Sequence, residues 1–157
     1  MKTLIRFSIL TALFSFAFHS LSAGFTVEKT KDGVTVKYKG KLFTRYVVGQ
    51  SNKPFMWPII GPNGNEVTRA FPMEKREGER HDHPHHRSLW FGHQGIGGFD
   101  TWHEPASGRK TNLGSTVHRE FVKVQGGDTA VIVTRNDYVG GGKKLLADER
   151  THTFKVE

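Results

Sequence analysis

Apolar and polar residues alternate in short runs along this chain, the period of strands rather than helices. Phe25-Thr26-Val27-Glu28 and Val34-Thr35-Val36-Lys37-Tyr38 flank Lys31-Asp32-Gly33. Asp-Gly between alternating runs predicts a hairpin. Residues 42–48 (LFTRYVV) predict a third strand. Residues 55–60 (FMWPII) are apolar but contain Pro58, which cannot donate to a ladder. An edge strand or extended segment is therefore expected there. Residues 61–65 (GPNGN) form a turn cluster. Residues 117–124 (VHREFVKV) and 129–135 (TAVIVTR) surround Gly126-Gly127-Asp128 and predict a second hairpin. Gly140-Gly141-Gly142 reads as a loop, and residues 145–156 alternate again before the chain stops at Glu157. No run of ten residues carries a helical stripe. The expectation is an all-β, antiparallel, sandwich-like domain over residues 24–157. An ending inside an alternating run leads us to expect a fragment of a longer domain, with a sheet edge left unpaired.

The first 23 residues follow another pattern. Lys2 and Arg6 precede the apolar run 7–18 (FSILTALFSFAF), and Ser20, Ser22 and Ala23 follow it. A short basic stretch, a short apolar run and small residues make a cleavable secretory signal, and the run is too short to span a bilayer. Export to the periplasm or beyond is expected, with cleavage after Ala23. No later segment could cross a membrane as a helix.

Composition narrows the chemistry. With no cysteine, disulfides, thiolate metal sites and cysteine nucleophiles are excluded. The formal charge is +8, of which Lys2 and Arg6 belong to the leader. The other basic residues are dispersed, so a solvated basic surface is expected rather than nucleic-acid binding.

Six histidines, His81, His83, His85, His86, His93 and His103, fall within residues 81–103. Imidazole is the commonest metal ligand and titrates near neutrality. On an extended segment His81 and His83 share a face and could grip one ion with His93 or His103. Pro84 is expected to direct His85 and His86 elsewhere. A divalent metal is one open reading, with zinc, copper, iron and calcium not distinguished. Hydrogen-bonded histidines without an ion are the other. Asp82 is a candidate ligand or a partner that fixes a tautomer. The spacing fits neither a His-Glu-x-x-His helix nor a cupin. Asp100 and Glu104 flank Trp102-His103 and could complete an acid/base set.

Trp57, Trp90, Phe91, Phe99 and Trp102 interleave with these groups. An aromatic face beside fixed polar groups suits a sugar, and Arg87 suits a carboxylate or hydroxyls. Leu89-Trp90-Phe91 alternates like a strand, so Leu89 and Phe91 are expected in the core. Trp90 and Trp102 stay open between core and stacking. Residues 74–80 (EKREGER) read as a solvated loop, and neither Gly95-x-Gly97-Gly98 nor Gly142-Lys143 makes a phosphate loop.

Taken together, Phe71-Pro72-Met73, Glu77-Gly78-Glu79, the run from His81 to His93 and Gly98-Phe99-Asp100-Thr101-Trp102 resemble an uncharacterised bacterial family labelled methane oxygenase PmoA-like. Ser88 stands where that family usually has glycine. The resemblance implies a β-sandwich, an exported protein and neighbours that process sugars. It implies that His83, His85, His86, Arg87 and His93 belong to the site, and that this chain covers the N-terminal half of a longer domain. A true methane oxygenase is not expected, because such subunits lie in membranes.

The expected function is therefore action on a carbohydrate, as a hydrolase, lyase or isomerase. His83, His86, Arg87 and His93 are the candidate catalytic residues, with His83 or His86 as base or ligand and Arg87 holding substrate. His85, Trp90, Trp102 and Asp100 are candidates for substrate binding, and His81, His83 and His93 for a metal. The partner expected is a small sugar or glycan. A non-catalytic carbohydrate-binding module and a metal-binding protein are the alternatives. Oligomeric state is left open.

Overall fold

The computed structural model describes residues 24–109 and 112–156; the expected signal segment lies outside them. Eight strands form two antiparallel sheets. In chain order they are β1 (Phe25–Thr30), β2 (Gly33–Tyr38), β3 (Lys41–Val47), β4 (Phe55–Ile59), β5 (Leu89–Trp90), β6 (Ser115–Gln125), β7 (Ala130–Gly140) and β8 (Lys143–Phe154). Sheet 1 has the order β1-β2-β3-β4-β5 and sheet 2 the order β6-β7-β8. The single helical element among the described residues is a short 3-10 turn, Pro105–Ser107. No helix among them is long and apolar enough to cross a membrane.

The hairpins follow from turn chemistry. Lys39 and Gly40 both have positive φ (47° and 76°) between β2 and β3, as a two-residue turn requires. Gly141 and Gly142 do the same between β7 and β8, at 57° and 76°. Pro58 does not put β4 at the sheet edge. β5 pairs only with Phe55 and Met56, and the β3 register shifts between Thr44 and Tyr46. The proline thus sits past the β5 pairing and beside a ladder irregularity, where a missing N–H costs little.

The core lies between the sheets. Phe25, Val34, Val36, Tyr46 and Met56 from sheet 1 meet Ala130 and Ile132 from sheet 2. Burying a side chain such as Ile132 contributes about 1.5–3 kcal/mol. On one side the layers are tied together: Phe25 N–H donates to Gly127 O at 2.7 Å, and Gly127 N–H donates to Phe25 O at 2.9 Å. A Cβ at Gly126 would stand 2.4 Å from Phe25 O, so this junction needs glycine. On the other side, β5 and β8 are the free sheet edges. A recess of about 210 Å³ opens there, with Leu89 and Phe91 on one wall and Arg150 and His152 on the other. Leu89 and Phe91 are accordingly 52% and 55% exposed, a correction to the expectation that they are core. β5 is two residues long at an open edge, and Phe91 is covered on one face by the Arg150 guanidinium, 4.8 Å from its ring centroid.

Candidate functional site

The long excursions on either side of β5 carry the histidines. His86 N–H donates to His83 O at 2.9 Å, closing a turn with Pro84 at its second position, where its fixed φ is favoured. His83 itself has φ 47°, a conformation that costs a non-glycine residue energy. The turn gathers the rings instead of separating them. His83 stacks on His86 with centroids 4.9 Å apart, and His85 meets His86 at 4.5 Å. The expectation that Pro84 turns His85 and His86 away is thus corrected.

The second excursion adds its own groups. His103 lies 4.5 Å from His85, Trp90 lies 5.1 Å from His86, and Trp90 meets Trp102 at 5.2 Å. Asp100 organises this part. Its Oδ1 accepts from the Trp102 and His103 N–H groups at 2.9 and 3.1 Å. Its Oδ2 lies 2.8 Å from His103 Nδ1 and 3.1 Å from Arg109 Nε. Burial pushes the Asp100 carboxyl up. The His103 N–H, the His103 ring and the Trp102 N–H together outweigh this and hold it below the usual aspartate range. An ionised Asp100 places the His103 proton on Nδ1 and leaves Nε2 as the basic nitrogen. His85 is buried. Burial first, and then the neighbouring His86 and His103, push it down to about 4. It is neutral at neutral pH.

Beneath the rings sits a buried ion cluster. Arg87 donates to Glu104 through Nε (2.7 Å) and Nη2 (2.9 Å). Lys53 Nζ donates to Glu104 Oε1 at 3.2 Å and to Trp102 O at 2.8 Å. Ser51 Oγ donates to Glu104 Oε1 at 2.8 Å. Asn52 Nδ2 donates to His103 O at 2.7 Å and Gly114 O at 3.1 Å. The 51–53 loop therefore clamps the segment that holds Trp102 and His103. Burial lowers the Lys53 pKa and Glu104 acts against that shift. For Glu104, burial raises the pKa, but Arg87, Lys53 and Ser51 carry it below the usual range.

The expected residues thus divide. His83, His85, His86, Trp90, Trp102 and Asp100 come together. Arg87 faces Glu104, within the clamp. His93 is exposed, and its backbone pairs with Thr101 through N–H to Oγ1 at 3.2 Å. His81 stacks on Phe71 at 4.9 Å, and Asp82 pairs with Arg69 and His83. Among the described residues no three His, Asp or Glu side chains are grouped to hold an ion. Within the 74–80 run, Glu79 accepts backbone N–H bonds from Ala70 and Phe71. Sequence reasoning missed Ser51, Asn52 and Lys53, which precede a strand with no motif. Ser88 has φ 63°, a backbone conformation that favours glycine. A 2.8 Å bond between the hydroxyls of Ser88 and Thr68 offsets part of the strain.

A family model matches residues 33–157, described as a family of unknown function (DUF6807). The chain belongs to that family. Nothing in the match ties this family of unknown function to methane oxygenation, so the PmoA-like label is set aside. No curated protein and no solved structure matches the chain.

Proposed function

We propose that this member of the DUF6807 family acts on a carbohydrate as a lyase or isomerase, with His103 as the base. The observation that carries the reading is the 2.8 Å contact between Asp100 Oδ2 and His103 Nδ1, set against His85 and next to paired tryptophans. A carboxylate-oriented imidazole is suited to remove a proton. The hydrogen on a sugar carbon next to a carbonyl is acidic enough for such a base. Loss of that proton leads to elimination or to isomerisation. Trp90 and Trp102 supply faces for the sugar ring, and the exposed His83 beside His86 marks the open side of the cluster. Hydrolysis fits less well. Glycosidases use two carboxyl groups that flank the bond, whereas Asp100 holds His103 and Glu104 is locked to Arg87 and Lys53. Export, proposed from residues 1–23, would bring the domain to extracellular or periplasmic sugars.

The test is a screen of keto sugars, uronates and oligosaccharides for turnover, with His103→Asn alongside. Turnover that falls about 10²–10⁴-fold in the variant supports the reading. Saturable binding without product in the wild type would replace it with a carbohydrate-binding module.

A further inference from the structure

The inner face of sheet 2 is only half apolar. Cross-strand partners along it run Val124–Ile132–His152, then Phe121–Thr134–Arg150, then His118–Asn136–Asp148, then Thr116–Tyr138–Leu146. The first row joins the core. The later rows are polar, yet Thr116, Thr134, Asn136 and Tyr138 are all buried. Such a face is costly unless every polar atom has a partner.

Some of it is satisfied. Asp148 accepts from Asn136 Nδ2 (2.8 Å), Tyr138 Oη (2.7 Å) and Arg150 Nε (2.7 Å). Arg150 Nη2 also donates to Tyr138 Oη at 2.6 Å. Part of the rest is open. Thr116 Oγ1 and His152 Nε2 are buried without hydrogen-bond partners, whereas the His118 and Asn136 side chains answer each other across the strands. Two recesses reach this face. One, of about 300 Å³, is lined by the 51–53 loop, Thr116 and His118. The other is the β5–β8 gap, of about 210 Å³, lined by Trp90, Arg150 and His152. Tyr46 stands between them, 6.3 Å from the His118 ring and 5.3 Å from His152.

We propose that this polar face is a second ligand site, inside the sandwich, for a neutral polyhydroxylated molecule of monosaccharide size. Arg150 and Asp148 neutralise each other, so the face offers no net charge to an anion. Burial lowers the pKa of both His118 and His152, which keeps their rings neutral. The open atoms are a ring nitrogen, His152 Nε2, and a hydroxyl, Thr116 Oγ1, that both donates and accepts. Hydroxyl groups answer both kinds; a carboxylate or phosphate answers only donors. The site borders the His103 cluster, sharing the 51–53 loop and Trp90 with it, but its own polar groups come from sheet 2 and it does not depend on His103 acting as a base.

The test is NMR of the histidine rings of the whole chain, titrated with glucose, galactose, mannose and glucuronate. A neutral sugar is expected to shift His118 and His152. Thr116→Val, close to isosteric, is expected to weaken that binding about tenfold, the loss of one hydrogen bond. Its melting temperature should be unchanged or raised, because an unsatisfied hydroxyl is removed. Shifts confined to His85, His86 and His103, shifts with glucuronate alone, or no shift with any sugar would overturn the proposal. So would binding indifferent to Thr116→Val.

Discussion

Glu104→Ala is the perturbation whose cost follows most directly from the geometry. The Lys53 side chain is 0% exposed and that of Glu104 5%. Arg87, at 16%, makes two bonds to the same carboxylate. Removing Glu104 strands an ammonium and most of a guanidinium away from water. Breaking a buried pair in this way costs about 3–5 kcal/mol, a large share of the ~5–15 kcal/mol that stabilises an ordinary domain. With a urea slope of ~1–3 kcal/mol/M, the unfolding midpoint should fall by roughly 2 M. Urea titration followed by tryptophan fluorescence reads this, since Trp90 and Trp102 sit on the cluster. Lys53→Met should cost less, because Arg87 and Ser51 still hold Glu104. Glu149→Ala is the control. It removes an exposed ion pair with Arg135 and should leave the midpoint unchanged. A loss in Glu104→Ala no larger than in the control would refute the reasoning and mean that Lys53 reaches water on its own.

Other consequences are equally specific. Gly140→Ala places a Cβ 2.2 Å from the Phe99 ring; overpacking of about 1–3 kcal/mol is expected, read as a lowered melting temperature and looser docking of residues 92–104. Stability should decline as pH falls. His85 titrates at about 4 when folded and near ~6.5 when unfolded, so the unfolded chain binds the extra proton between these values and the loss accrues from pH ~6.5 downward. The lowered carboxyls of Asp100 and Glu104 add losses below pH ~4.5; urea midpoints from pH 7 to 4 check both. Because His83 stacks on His86 and His81 on Phe71, stripping the protein with a chelator should leave turnover unchanged. Activity restored only by added zinc or copper would return the metal reading.

Much of the fold was legible because strands announce themselves locally. The 25–28, 34–38, 42–48 and 55–60 segments became β1 to β4, and the two glycine-rich turns became hairpins. Sheet assignment was less legible. Nothing in Leu89-Trp90-Phe91 says that its strand ends after two residues at an open edge, so Leu89 and Phe91 read as core. The candidate site was legible as a composition, six histidines with tryptophans and Asp100. Its wiring was not. Arg87 finds Glu104 across 17 residues and Lys53 finds it across 51, and such pairings depend on how the 51–53 loop crosses the 100–104 segment. The polar inner face of sheet 2 hid behind correct alternation. Thr151-His152-Thr153-Phe154 has the period of a half-buried strand whichever residues turn inward.

The central claim is that Asp100 and His103 form a base that acts on sugars. The most direct measurement is exchange of carbon-bound hydrogen in D₂O, followed by ¹H NMR on keto sugars and uronates with the wild-type protein, His103→Asn and Asp100→Asn. The account predicts deuterium entering next to the carbonyl with the wild type, and at least about 10²-fold less with either variant, both remaining folded. Exchange at the same rate in His103→Asn, or none with any sugar in the wild type, would contradict it.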